Sequence, residues 1–131
     1  MCKLFIGADP KLWESSTRSL RIDGMVTSVR LENLFWSALD QIAARDDLNI
    51  PQLLTGLYHE SLDEGHDLGN FTSFLRVSCL RYFELAAKGF LPLNDALSIG
   101  QLPADEILTL EKTERQRHPI RNSAGNAGSQ H

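Results

Sequence analysis

The chain has 131 residues, 42% of them hydrophobic, and a formal net charge of −4. A chain of this length makes one small domain with extra ends and buries about two-thirds of its unfolded surface, so association with a second copy helps it. The acidic balance excludes a broad electrostatic grip on nucleic acid, because such affinity comes from neutralising phosphates; any contact of that kind has to be local.

Residues 2–8 read as a short strand that ends at Asp9-Pro10, and residues 10–15 as a single helical turn capped by Asp9 with proline at its first position. The opening residues carry no charged leader before a long apolar run, and no stretch approaches the roughly eighteen apolar residues of a membrane helix. A cytoplasmic protein with no membrane partner is expected. Cys2 and Cys79 fit a reducing compartment, and Cys79 lies in an apolar run where a free thiol behaves as a small hydrophobe.

Residues 20–22 and 25–31 flank Asp23-Gly24, a dipeptide suited to the positive backbone angles of a two-residue hairpin turn. In the second of these strands, alternation sends Thr27, Val29 and Leu31 toward a helical core and Val26, Ser28 and Arg30 outward. A ribbon of this size is marginal in water by itself, so a second chain is expected to complete it.

Phe35, Ala38, Leu39 and Ile42 recur at helical spacing and predict a helix over residues 32–45. Asn49 as cap and Pro51 in the first turn predict a second helix over residues 50–63, ended by Glu64-Gly65. A third helix starts after Asn70. Its apolar residues, from Phe71 and Phe74 through Val77, Leu80 and Phe83, cover more than one stripe and predict burial on two sides, one of them against a partner chain. Short helices are expected in residues 90–99 and 103–110, and a disordered tail from Thr113. Lys112, Arg115, Arg117 and Arg121 make that end basic, which suits either weak attraction to DNA or a solubilising tail. The expected domains are an accessory strand and turn (1–16), a main domain (17–90), short C-terminal helices (91–112) and the tail (113–131).

Enzyme chemistry lacks its parts. There is no glycine-rich phosphate loop, Cys-x-x-Cys pair, nucleophile elbow or framed histidine–carboxylate pair, so neither catalytic residues nor a cofactor is expected. His59 and His66 flank an acidic turn containing Glu60, Asp63, Glu64 and Asp67. Imidazoles and carboxylates can bind metal, yet the spacing matches no metal motif and reads as a solvated turn.

Arg18-Ser19-Leu20, Thr27-Ser28-Val29-Arg30-Leu31-Glu32, Phe35-Trp36 and the run from Asn70 to Leu80 occur in that order. Together, over about residues 17–83, they resemble the ribbon-helix-helix family of bacterial DNA-binding proteins of the methionine- and Arc-repressor type, in a subfamily of short and mostly uncharacterised members. The resemblance implies a mainly α fold with a short β-ribbon, as an intertwined homodimer whose ribbon pairs strands from two chains. It implies that Val26, Ser28 and Arg30 read bases in the major groove, Arg30 most strongly by two parallel hydrogen bonds to guanine. Arg18, Arg21, Asn70, Thr72 and Ser73 would hold the DNA backbone. Val29, Leu31, Phe35, Leu39 and Phe74 would form the dimer core, with Trp36 as core rather than a stacking platform. The segment 49–68 departs from a minimal unit, in which the second helix follows the first directly. The implied function is sequence-selective binding of double-stranded DNA by a transcriptional regulator. The alternative is the same dimer acting as an antitoxin-like or adaptor-like module on a protein partner, with the arginines only solvating a ribbon edge.

Overall fold

The computed structural model describes residues 2–22, 24–66, 69–92 and 98–120. The elements are α1 (Cys2–Ile6), a 3-10 turn (Pro10–Leu12), β1 (Ser15–Ile22), β2 (Met25–Glu32), α2 (Asn33–Arg45), α3 (Ile50–Asp63), α4 (Phe71–Ala87), a second 3-10 turn (Ile99–Gln101) and α5 (Ala104–Arg117). They fall into two compact units, one ending at Gln101 and one starting at Leu102.

The strand expected over residues 2–8 is instead the short helix α1, closed by the Gly7 N–H on the Lys3 carbonyl at 3.0 Å. A strand requires a ladder partner, and the two-stranded sheet of the described residues contains only β1 and β2. Leu4, Phe5 and Ile6 are all exposed. The following turn forms as expected, with the Asp9 side chain accepting from the Lys11 N–H.

β1 and β2 pair antiparallel in register from Ser15↔Glu32 to Ile22↔Met25. The hairpin expected around Asp23-Gly24 thus forms within the chain. Gly24 supplies the positive φ, +80°, that the two-residue turn demands; Asp23 lies outside the described residues. On the inner face Leu20, Ile22, Val29 and Leu31 are buried, β1 against α3 and β2 against α2 and α4. The centre of this unit is Trp36, Leu31, Leu39, Leu54, Leu75 and Cys79. Burial pushes the Cys79 thiol up to about 11, so it stays protonated as a small apolar side chain.

The helices fall close to where their caps put them. At α3, the Asn49 side chain accepts from the Gln52 N–H and the Gln52 side chain accepts from the Asn49 N–H, both at 2.9 Å, with Pro51 in the first turn. Asn49→Ala removes one arm of this box and is expected to cost about 1 kcal/mol, read as a shift of the urea midpoint.

In α4, Leu75, Cys79, Tyr82 and Leu85 are buried within the chain, whereas Val77, Leu80 and Phe83 on another side stand exposed. Arg45, in the last turn of α2, is buried; its guanidinium donates to the Tyr82 hydroxyl at 3.1 Å and to the Pro92 carbonyl. Residues 93–97 of the short helix expected over 90–99 lie outside the described residues.

α5 runs past Thr113, where the tail was expected to begin, as far as Arg117. Its acidic first turn (Asp105, Glu106) and basic last turn (Arg115, Arg117) complement the helix dipole, so a polar composition does not stop the helix. The Thr109 and Thr113 hydroxyls donate back to the carbonyls of Asp105 and Thr109. Arg121 and the remainder of the tail lie outside the described residues.

Candidate nucleic-acid interface

Strand alternation gives the ribbon two chemically different faces. The outward one carries Thr17, Ser19 and Arg21 from β1 and Val26, Ser28 and Arg30 from β2, all exposed. The register places Thr17 opposite Arg30, Ser19 opposite Ser28 and Arg21 opposite Val26. Arg30 therefore stands toward one end of the face and Arg21 toward the other, about 13 Å apart along the strands, with hydroxyls between them. Arg30 Nη1 donates to Thr17 Oγ1 at a long 3.4 Å, and Arg21 Nη1 donates to the Gly24 carbonyl at 3.1 Å. These side chains carry two positive charges and no carboxylate, in a chain whose net charge is −4.

Glu32 follows on the same alternation and is held by Arg76 of α4. Arg76 Nε donates to Oε1 at 2.9 Å, and Nη2 donates to Oε2 at 3.3 Å. This two-point bond, helped by a backbone N–H, lowers the Glu32 carboxyl below its ordinary 4.5. The unfolded chain takes up this proton first as acid is added. The stabilisation is present above the ordinary value and is lost as pH falls through the lower, folded one. Arg76→Met is expected to flatten the acid limb of the stability curve, measured by urea midpoints from neutral pH down to about 3.

Arg18 sits on the opposite face from Arg21 and Arg30. Its guanidinium lies 4.5 Å from the centre of the Trp36 ring, and Nη1 is 3.7 Å from Asp40 Oδ1. Trp36 in turn donates from Nε1 to the Ser16 carbonyl at 2.9 Å. Arg18 thus joins the ribbon to α2. Its alternation with Leu20 and Ile22 carried that signal.

At the start of α4 the Asn70 side chain accepts from the Ser73 N–H at 3.4 Å, with Thr72 in the same turn. Arg76 follows Asn70 by about 9 Å of helix, so the bond to Glu32 ties this turn's helix to the end of the ribbon. Of the residues assigned to a dimer core, Val29, Leu31 and Leu39 are buried inside a single chain, while Phe35 and Phe74 are half-buried. Phe74 stacks on Phe71, whose ring meets Tyr58 edge-on.

Arg76 was missing from the residues singled out in the sequence; its signal was to be the one charged residue between Phe71 and Leu80. Among the described residues, no cluster of three or more His, Cys, Asp or Glu side chains gathers as a metal site, and no helix is long and apolar enough to cross a membrane.

A family model described as a ribbon-helix-helix domain matches residues 15–83. A solved structure of an uncharacterized protein from Bordetella pertussis Tohama I is similar over 82% of this chain and 86% of its own, with 46% identity and a TM-score of 0.76. No curated protein matches the chain.

Proposed function

Since the chain belongs to the ribbon-helix-helix family, we propose that it binds double-stranded DNA as a regulator-type protein, sequence-selectively and as a homodimer. The observation that supports this most is the outward face of the ribbon, where Arg21 and Arg30 frame Thr17, Ser19 and Ser28, and the carboxylate that follows on the same alternation, Glu32, is held by Arg76. A two-stranded ribbon has the width that the major groove admits. In this reading Arg30 pairs with guanine O6 and N7, Ser28 donates to or accepts from a base edge, and Val26 meets a thymine methyl. Arg21, with Thr17 and Ser19, holds phosphates and sets the register. The first turn of α4, at Asn70, Thr72 and Ser73, offers backbone N–H groups and the positive end of a helix to a further phosphate. Arg18 takes no part in this grip. It orients the ribbon through Trp36 and Asp40.

The exposed stripe Val77, Leu80 and Phe83 on α4 supports association with a second copy. Each protomer then brings its own ribbon, and a twofold dimer reads an inverted repeat.

Selection of the purified protein on a randomised duplex pool tests this. The expected winner is a short inverted repeat whose log affinity falls with log salt at a slope of about −2 to −4, from the two outward arginines of each protomer. A folded protein that enriches nothing at low salt would overturn the reading. It would turn attention to a protein partner for the α4 stripe.

A further inference from the structure

We propose that the helical layer behind the ribbon holds a binding site for a small amphipathic molecule with an apolar body and a neutral or cationic N–H donor head. The site is a cavity of about 350 Å³ between α2, α3, α4 and the turn at Ile99–Gln101. That volume lies in the range of small-ligand pockets. Its walls include Ile42, Leu53, Tyr82, Leu85 and Leu91, all buried side chains rather than surface ones.

Gly56 lines the cavity from α3. It lies in the helix interior, where glycine weakens a helix relative to alanine. A Cβ built there meets nothing within 4 Å, so no tight packing accounts for the missing side chain. With Arg21, Pro51, Gln52 and Thr55, Gly56 also lines a second, more open depression.

The polar lining sets the ligand chemistry. Asp46 and Glu60 contribute carboxylates, Arg81 a guanidinium, and Gln52 and Ser78 neutral groups. Asp46 Oδ1 already accepts from the Ile99 N–H, Gln52 Oε1 from the Asn49 N–H, and the Ser78 hydroxyl donates to the Phe74 carbonyl. Two carboxylates against one guanidinium disfavour an anionic ligand and favour one that brings a hydrogen-bond donor to Glu60. The apolar walls take the rest of the molecule. This site uses none of the ribbon side chains, so it stands whether or not the DNA reading does.

Phenylnaphthylamine, a neutral fluorophore with one N–H, and its sulfonated analogue anilinonaphthalenesulfonate form a matched pair for the test on the full chain. Phenylnaphthylamine is expected to bind saturably at one molecule per chain, and the sulfonate about ten-fold more weakly or worse. Gly56→Leu, which adds a bulky side chain at a lining residue, is expected to weaken phenylnaphthylamine by about ten-fold or more while circular dichroism retains the helices. Leu4→Glu, on exposed α1, leaves the affinity unchanged. Absence of saturation, equal affinity for the sulfonate, wild-type binding by folded Gly56→Leu, or loss of binding in folded Leu4→Glu would each overturn the proposal. Should Gly56→Leu fail to fold, intermolecular NOEs on the wild-type chain decide. Contacts from the probe to the methyls of Leu53, Leu57 and Leu85 support the site; contacts to Val77 and Leu80 instead refute it.

Discussion

Trp36→Ala is expected to lower stability by about 3–5 kcal/mol, the usual cost of deleting a large aromatic side chain from a core. The ring is 2% exposed and stands where the ribbon meets α2. Its loss opens a cavity, leaves the Ser16 carbonyl without the indole N–H and strips Arg18 of the surface beneath its guanidinium. Trp36→Phe separates these effects. It keeps most of the apolar volume but removes the indole N–H from the Ser16 carbonyl, for an expected loss of about 1–3 kcal/mol. Urea unfolding followed by circular dichroism reads both. A loss of less than about 1 kcal/mol for Trp36→Ala would mean that the ribbon is not anchored through this residue.

Arg30→Ala is expected to leave the urea midpoint within about 0.5 kcal/mol of wild type, since its side chain is exposed and makes only a 3.4 Å bond to Thr17. Under the proposed function it removes one base contact per protomer, worth about 1–3 kcal/mol each, so affinity for the selected repeat falls by roughly two to four orders of magnitude in a dimer. Arg21→Ala should weaken binding to all duplexes alike and reduce the salt slope by about 2, one phosphate contact per protomer. Fluorescence anisotropy with selected and scrambled duplexes distinguishes the two. If Arg30→Ala weakened both duplexes equally, Arg30 would be a backbone contact and the base-reading assignment would fail.

The elements that the sequence revealed best are those with strong local signals. Asn49 as cap with Pro51 in the first turn set the start of α3, Asn70 set the start of α4, and Asp23-Gly24 placed the hairpin turn. Local signals failed at residues 2–8, where Leu4-Phe5-Ile6 favours a strand but no ladder partner is at hand, and a short helix forms instead.

At the candidate interface, alternation separated Val26, Ser28 and Arg30 from Val29 and Leu31, as the register bears out. The same alternation along β1 puts Arg18 with Leu20 and Ile22. Grouping it with Arg21 by sequence proximity alone hid its place beside Trp36. The Glu32–Arg76 and Arg45–Tyr82 bonds join residues 44 and 37 positions apart, and no short motif announces contacts of that span.

Because β1 and β2 meet across a two-residue turn, their pairing is a first-order event. A hairpin of this kind closes on a timescale of about 1–10 μs, with no dependence on how much protein surrounds it. A lone chain can therefore present Arg21 and Arg30 on a finished surface before it encounters another copy. Under the proposed function, dilution acts on how many such surfaces work together, and leaves the shape of each one untouched.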